Sequence, residues 1–125
     1  MSEHGTFYWN ELMSNDVDAA KAFYEKAMGW TFDAMPMDGG TYWLAKNGDT
    51  PAGGMMAMPD GMPPGTPSHW MAYIAVDDID ARLAQAESNG GTILKPAFDV
   101  PGVGRIAVIQ DPSGGAVGWM TPAPR

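Results

Sequence analysis

The chain of 125 residues contains no cysteine. Disulfides and thiolate metal sites are therefore excluded, and a cytoplasmic home is the default expectation. Basic residues are scarce. Seven Lys and Arg stand against fifteen Asp and Glu, for a formal net charge of -8. No basic run exists, which argues against nucleic acid and against anionic membranes as partners. No apolar run approaches the ~20 residues that span a bilayer. The start, MSEHGTFYW, lacks the basic segment and apolar stretch of a secretory signal. Phosphate loops, nucleophile elbows and H-E-x-x-H pairs are also missing. The paired glycines at 39–40, 53–54, 90–91 and 114–115 read as turn devices.

What is present is an apolar share of 45%, eleven Met, five Trp and sixteen Gly. That composition suits one globular domain over residues 1–125. A shift of 62 residues, from Asp16 to Asp78, lays the chain on itself. Asp18 then meets Asp80, Ala22 meets Ala84, Gly29 meets Gly91, Gly53 meets Gly115 and Met58 meets Met120. The match runs without a gap, and each half reads as strand, helix and three strands.

In the first half, about 6–58, residues 6–13 favour a strand by aromatic content. SNDVDAAKAFYEKAMG reads as a helix with Ser14, Asn15 or Asp16 as cap and Gly29 as its stop. Ala19, Ala22, Phe23, Lys26 and Ala27 mark one of its faces. Strands are expected near 30–35, 41–47 and 52–58, separated by Asp38-Gly39-Gly40 and Asn47-Gly48-Asp49. Residues 59–68, PDGMPPGTPS, form a Pro/Gly-rich link. The second half, about 69–121, repeats the plan, with a helix near 78–89 and strands near 69–76, 92–95, 104–110 and 115–121.

AFYEKAMGW, the repeated acidic helix starts and DPSGGAVGWM together resemble the vicinal oxygen chelate superfamily. That group holds glyoxalases, extradiol dioxygenases and bleomycin-resistance proteins. The resemblance implies an α+β fold. Two βαβββ modules would form a curved eight-stranded mixed sheet around a cavity, with two main helices outside. In metal-dependent members, ligands come from the first and last strand of each module. Carried over, those positions fall on Trp9, Met56, Met71 and Gly118, with Met56 as the repeat partner of Gly118. Indole, thioether and hydrogen supply no donor for a hard divalent ion, nor the imidazole, carboxylate or thiolate that zinc and iron take. No metal is therefore expected there, and the cofactor expectation is none.

Strand alternation extends the inward set. Trp9 brings Phe7, Glu11 and Met13. Met71 brings His69, Tyr73 and Ala75. Met56 brings Gly54 and Met58, while Gly118 brings Ala116 and Met120. Either Tyr42 or Trp43 adds an aromatic, and Trp43 is taken as the ligand-facing one. The ligand-binding set is thus Trp9, Glu11, Trp43, Met56, His69, Met71, Tyr73 and Gly118. Core packing explains the apolar members equally well. Glu11 breaks an apolar strand, which suits a general base or a cation acceptor, or a salt bridge to Arg105 or Lys46. A displaced metal site built on His4, Glu11 and His69 is the remaining metal option.

The expected function is binding of a small, basic or amphipathic molecule in an aromatic- and Met-lined cavity, without a metal. The alternative is a lyase, isomerase or dioxygenase of the same superfamily that uses Glu11 or a non-standard metal site. A homodimer is compatible with either.

Overall fold

The computed structural model describes residues 4–37, 40–59, 62–100 and 103–123. The anticipated turn at Asp38-Gly39 and the Asp60-Gly61 part of the link lie outside them. The fold is α+β. Among the described residues there are two helices and an eight-stranded mixed sheet. The strands and helices run β1 (Phe7–Ser14), α1 (Val17–Met28), β2 (Thr31–Met37), β3 (Gly40–Asn47), β4 (Thr50–Ala57), β5 (His69–Ala75), α2 (Ile79–Ser88), β6 (Thr92–Val100), β7 (Gly104–Gln110) and β8 (Ala116–Pro122). None of the described helices is long and apolar enough to cross a membrane.

The chain forms two compact units. One is Asn10–Trp70, and the other joins residues up to Trp9 with those from Met71 onward. The division falls inside β1 and β5, not in the 59–68 link. In the first of these units the strand order is β2-β3-β4-β1, with β1 and β4 parallel. In the other it is β5-β8-β7-β6, with β5 and β8 parallel. There the backbone of Thr6 accepts from Ala75 N–H, which ties the start of the chain to β5.

The acidic helix starts act as caps. The Asp16 carboxylate accepts from Ala19 N–H at 3.0 Å, and that of Asp78 from Ala81 N–H at 3.3 Å. Each satisfies one of the donors that a helix start leaves open. Gly29 ends α1 at φ 73°, a left-handed conformation that favours glycine.

The two helices bury different amounts. Ile79 and Leu83 of α2 are buried with Val76, Ala107 and Ile109 in a core cluster. α1 buries none of its residues. Its half-covered positions are Val17, Ala20, Lys21 and Tyr24, one helical face. The face marked in the sequence by Ala19, Ala22, Phe23, Lys26 and Ala27 points to solvent instead.

The ungapped repeat needs correction. Glu11 lies opposite Gly54 on the parallel neighbour strand, and Tyr73 lies opposite Gly118. Glu11 and Tyr73 keep the shift of 62, so the structural counterpart of Gly118 is Gly54, a shift of 64. Met56 corresponds to Met120. Strand β6, with the turn after it one residue longer than the β2–β3 turn, supplies the extra residues. It was expected over 92–95 but runs to Val100, and its register against β7 slips between Ile93 and Lys95 and again between Lys95 and Phe98. Each slip inserts one residue. Pro96 falls within the second slip, on an edge strand, where a missing N–H is tolerated.

The DPSGG turn between β7 and β8 is explained locally. The Asp111 carboxylate accepts from Ser113 N–H at 2.8 Å, Ser113 O–H at 2.6 Å and Gly115 N–H at 2.9 Å. These bonds, the Ser113 hydroxyl first, hold its pKa below the usual carboxylate value. A carboxylate whose pKa falls on folding stabilises the fold at pH above its unfolded value of about 4, and that contribution is lost as pH drops below it. Thermal melts from about pH 6 to about pH 3 should therefore show a shallower acid decline for Asp111→Ala than for the parent. Parallel declines would remove the carboxylate from the account of this turn.

Candidate functional site

The helix-free face of the Asn10–Trp70 unit carries the most unusual group. Glu11 is only 8% exposed, although it is an acid. Its cross-strand partner Gly54 has no side chain, and the phenol of Tyr42 fills the space. A Cβ on Gly54 would overlap the Tyr42 hydroxyl and ring. Gly54 also lies opposite Leu44 on β3. Alternation then places Tyr42, Leu44, Gly54, Met56, Glu11 and Met13 on one face. A buried carboxylate costs several kcal/mol unless polar groups meet it.

The basic partners expected for Glu11 are engaged elsewhere. Lys46 pairs with Asp33 at 3.4 Å. Arg105 donates to Asp80 and Asp99, and both raise its pKa.

Trp43 does not join this face. The Lys21 ammonium of α1 lies 3.2 Å from the centre of its ring, a cation–π contact. Trp43 lies opposite Met55, which is fully buried, and so belongs to the α1 side of the sheet. The aromatic that accompanies Glu11 is therefore Tyr42. The sequence offered both, and one residue of register separates them. Phe7, expected inward, is 70% exposed at the start of its strand.

On the α1 side the aromatics form their own cluster. Tyr24 stacks on Trp30 with centroids 5.0 Å apart, and Trp70 meets Tyr24 edge-on. The Trp70 indole N–H also donates to the Tyr24 hydroxyl at 3.2 Å. These rings anchor α1 on its sheet.

In the other unit, Met71 and Tyr73 are buried on the β5 face away from α2. The Tyr73 ring lies against Gly118, where a Cβ would overlap two of its carbons. Met120, Val108 and Ile106 share that face by register. Val108 and Ile106 were not foreseen, because the sequence reading assigned no inward face to the strand near 104–110. Gly118 thus makes room for a tyrosine of the same unit. Trp9 is half-buried.

The histidines are committed locally. His69 Nδ1 lies 2.9 Å from the Pro67 carbonyl. His4 Nδ1 accepts from Asp77 N–H at 3.1 Å. Asp77 in turn receives two hydrogen bonds from Arg82, and these hold its pKa well below the carboxylate range. Among the described residues no three His, Cys, Asp or Glu stand close enough together to hold a metal ion. The side chains at the usual positions, Trp9, Met56, Met71 and Gly118, offer no donor that fits the metal the superfamily resemblance implies.

A groove of about 400 Å³ lies beside α2, lined by Ile74, Val76, Arg82, Ala86 and Trp119 together with His4. None of the eight residues expected at the site lines it.

Residues 7–117 match the sequence family described as Glyoxalase/Bleomycin resistance protein/Dioxygenase superfamily. "Putative glyoxylase CFP32" of Mycobacterium tuberculosis is 43% identical over the whole chain, which spans 47% of that protein. "Anthracycline biosynthesis protein DnrV" of Streptomyces peucetius is 35% identical over 86% of the chain, covering 44% of its own length. The chain thus spans about half the length of the curated relatives it matches. Among solved structures, methylmalonyl-CoA epimerase from Mycobacterium tuberculosis superposes with a TM-score of 0.69 at 19% identity, over 99% of this chain and 92% of its own. That likeness concerns the fold.

Proposed function

We propose, from the premise that the chain belongs to the glyoxalase/bleomycin resistance protein/dioxygenase superfamily, that it binds a small planar, basic molecule against the sheet face bearing Glu11 and Tyr42, without a metal. The buried Glu11 beside the Tyr42 phenol carries this reading. A carboxylate in a low-dielectric setting attracts a cation more strongly than one in water. Met13, Met56 and Leu44 supply apolar, adaptable surface around it. The net charge of -8 favours encounter with cations. The name of the Streptomyces relative points the same way, since anthracyclines are planar polycyclic compounds.

Thermal melting with aminoacridine, a planar cation, and with uncharged acridone tests the proposal. Aminoacridine should raise the melting temperature more than acridone, equally with and without chelator. Stabilisation that disappears with chelator would overturn the metal-free reading.

A second reading makes Glu11 a general base. The glyoxylase name of the mycobacterial relative favours it. Burial of the carboxyl would suit proton abstraction next to a carbonyl. Under this reading Glu11→Gln abolishes turnover while binding persists.

A further inference from the structure

The two helices are covered at the same four positions. Counted from the capping aspartates, Val17, Ala20, Lys21 and Tyr24 of α1 recur in α2 as Ile79, Arg82, Leu83 and Ala86. The last pair differs in kind. Tyr24 stacks on Trp30 and accepts from the Trp70 indole, so a phenol closes the end of α1. Ala86 offers only a methyl, and it lines the groove of about 400 Å³ beside α2. Trp119, Ile74 and Val76 supply the apolar wall of that groove. A smaller pocket of about 130 Å³ adjoins it and shares Ala86, Asn89 and Trp119. One half of the repeat therefore carries an aromatic side chain at this position, and the other carries a groove.

The polar side chains along the groove are rich in donors. His4 Nδ1 accepts from Asp77 N–H, so the neutral ring carries its proton on Nε2. Arg82 uses Nε and Nη2 on Asp77, and Nη1 takes no part in that pair. The amides of Gln85 and Asn89 follow along α2. Asp111, beside the adjoining pocket, is engaged by its own turn. Asp77 already balances the Arg82 charge, and the chain carries a formal net charge of -8, so an anion gains little here. An apolar wall with an indole suits an aromatic ring. The donors suit an uncharged oxygen acceptor on that ring. The volume lies within the range of small-molecule sites, about 300–1,000 Å³.

We propose that this groove is a second ligand site, built from none of the residues around Glu11, and that it takes a small uncharged aromatic molecule bearing a hydroxyl or carbonyl oxygen. The ring packs between Ala86 and Trp119, at the position that Tyr24 fills in the other half of the repeat. The oxygen accepts from the His4 imidazole.

NMR titration of the chain with p-cresol, the free equivalent of a tyrosine side chain, is the test. Saturable shifts should appear at the Trp119 indole and at the amides of residues 85–89, with a Kd of about 1 mM or below. The non-aromatic 4-methylcyclohexanol should bind about fivefold more weakly, the worth of one aromatic contact. His4→Ala should weaken p-cresol about fivefold, the worth of one hydrogen bond. Ala86→Phe fills the groove from the helix side and should weaken p-cresol at least about tenfold. If Ala86→Phe fails to fold, Ala86→Met, a flexible filler, takes its place. Shifts that do not saturate by about 10 mM would overturn the proposal. So would shifts centred on Glu11 and Tyr42, equal binding of the two alcohols, or p-cresol affinity indifferent to the filled groove. An affinity unaltered in His4→Ala would overturn the role of the imidazole.

Discussion

Glu11→Gln should weaken the binding of aminoacridine at least tenfold, about 1.4 kcal/mol, and leave that of acridone nearly unchanged. The amide keeps the size and shape of the carboxyl and removes only its charge. The parent carboxylate is 8% exposed on a face shared with Met13, Leu44 and Met56. Water screens it poorly there, so its attraction for a cation is larger than at the surface. Calorimetric titration of both compounds into parent and variant gives the answer. Equal losses for the two would mean that Glu11 shapes the surface and does not read charge. No loss for either would remove it from the site. Lost turnover of a substrate with unaltered affinity would move the argument to the general-base reading.

Gly118→Ala should destabilise the fold by about 1–3 kcal/mol, lowering the melting temperature by several degrees. The added Cβ would overlap Cδ1 and Cε1 of Tyr73, which is 5% exposed and packed on β5. These atoms belong to the body of the ring, close to the backbone, and they cannot swing aside alone. In a Tyr73→Ala background the same substitution should cost little. The double-mutant cycle should then give a coupling of about 1 kcal/mol or more. Gly54→Ala is a useful contrast. Its Cβ would meet chiefly the hydroxyl end of Tyr42, a half-exposed side chain able to rotate away. Denaturant unfolding of the four variants decides the matter. Additive costs at Gly118 and Tyr73 would refute the close contact.

The turn at Asp111 and the glycine at position 118 have separate explanations. Asp111 organises its own turn through three hydrogen bonds, and none of them requires a metal. Gly118, seven residues on, is held small by Tyr73. The turn and the small residue at position 118 are therefore independent constraints on one hairpin.

Much of the fold was legible in the chain alone, for local reasons. Capping by Asp16 and Asp78, the glycine stop after α1 and the strand–helix–strand order of each half depend on neighbours within a few residues. Buried Glu11 stood out because an acid interrupts an apolar strand. Three matters depended on partners distant in sequence. The two slips in β6 and the longer turn after it brought the repeat to a shift of 64 at the last strands, which made Gly54 and not Met56 the counterpart of Gly118. The register of β3 turned Trp43 toward Lys21 and Tyr42 toward Gly54. The side on which α1 meets its sheet left Phe23 in solvent. Periodicity reveals that a helix has a face or a strand has two sides. Which side is covered is fixed by what packs against it, and only the tertiary structure supplies that choice.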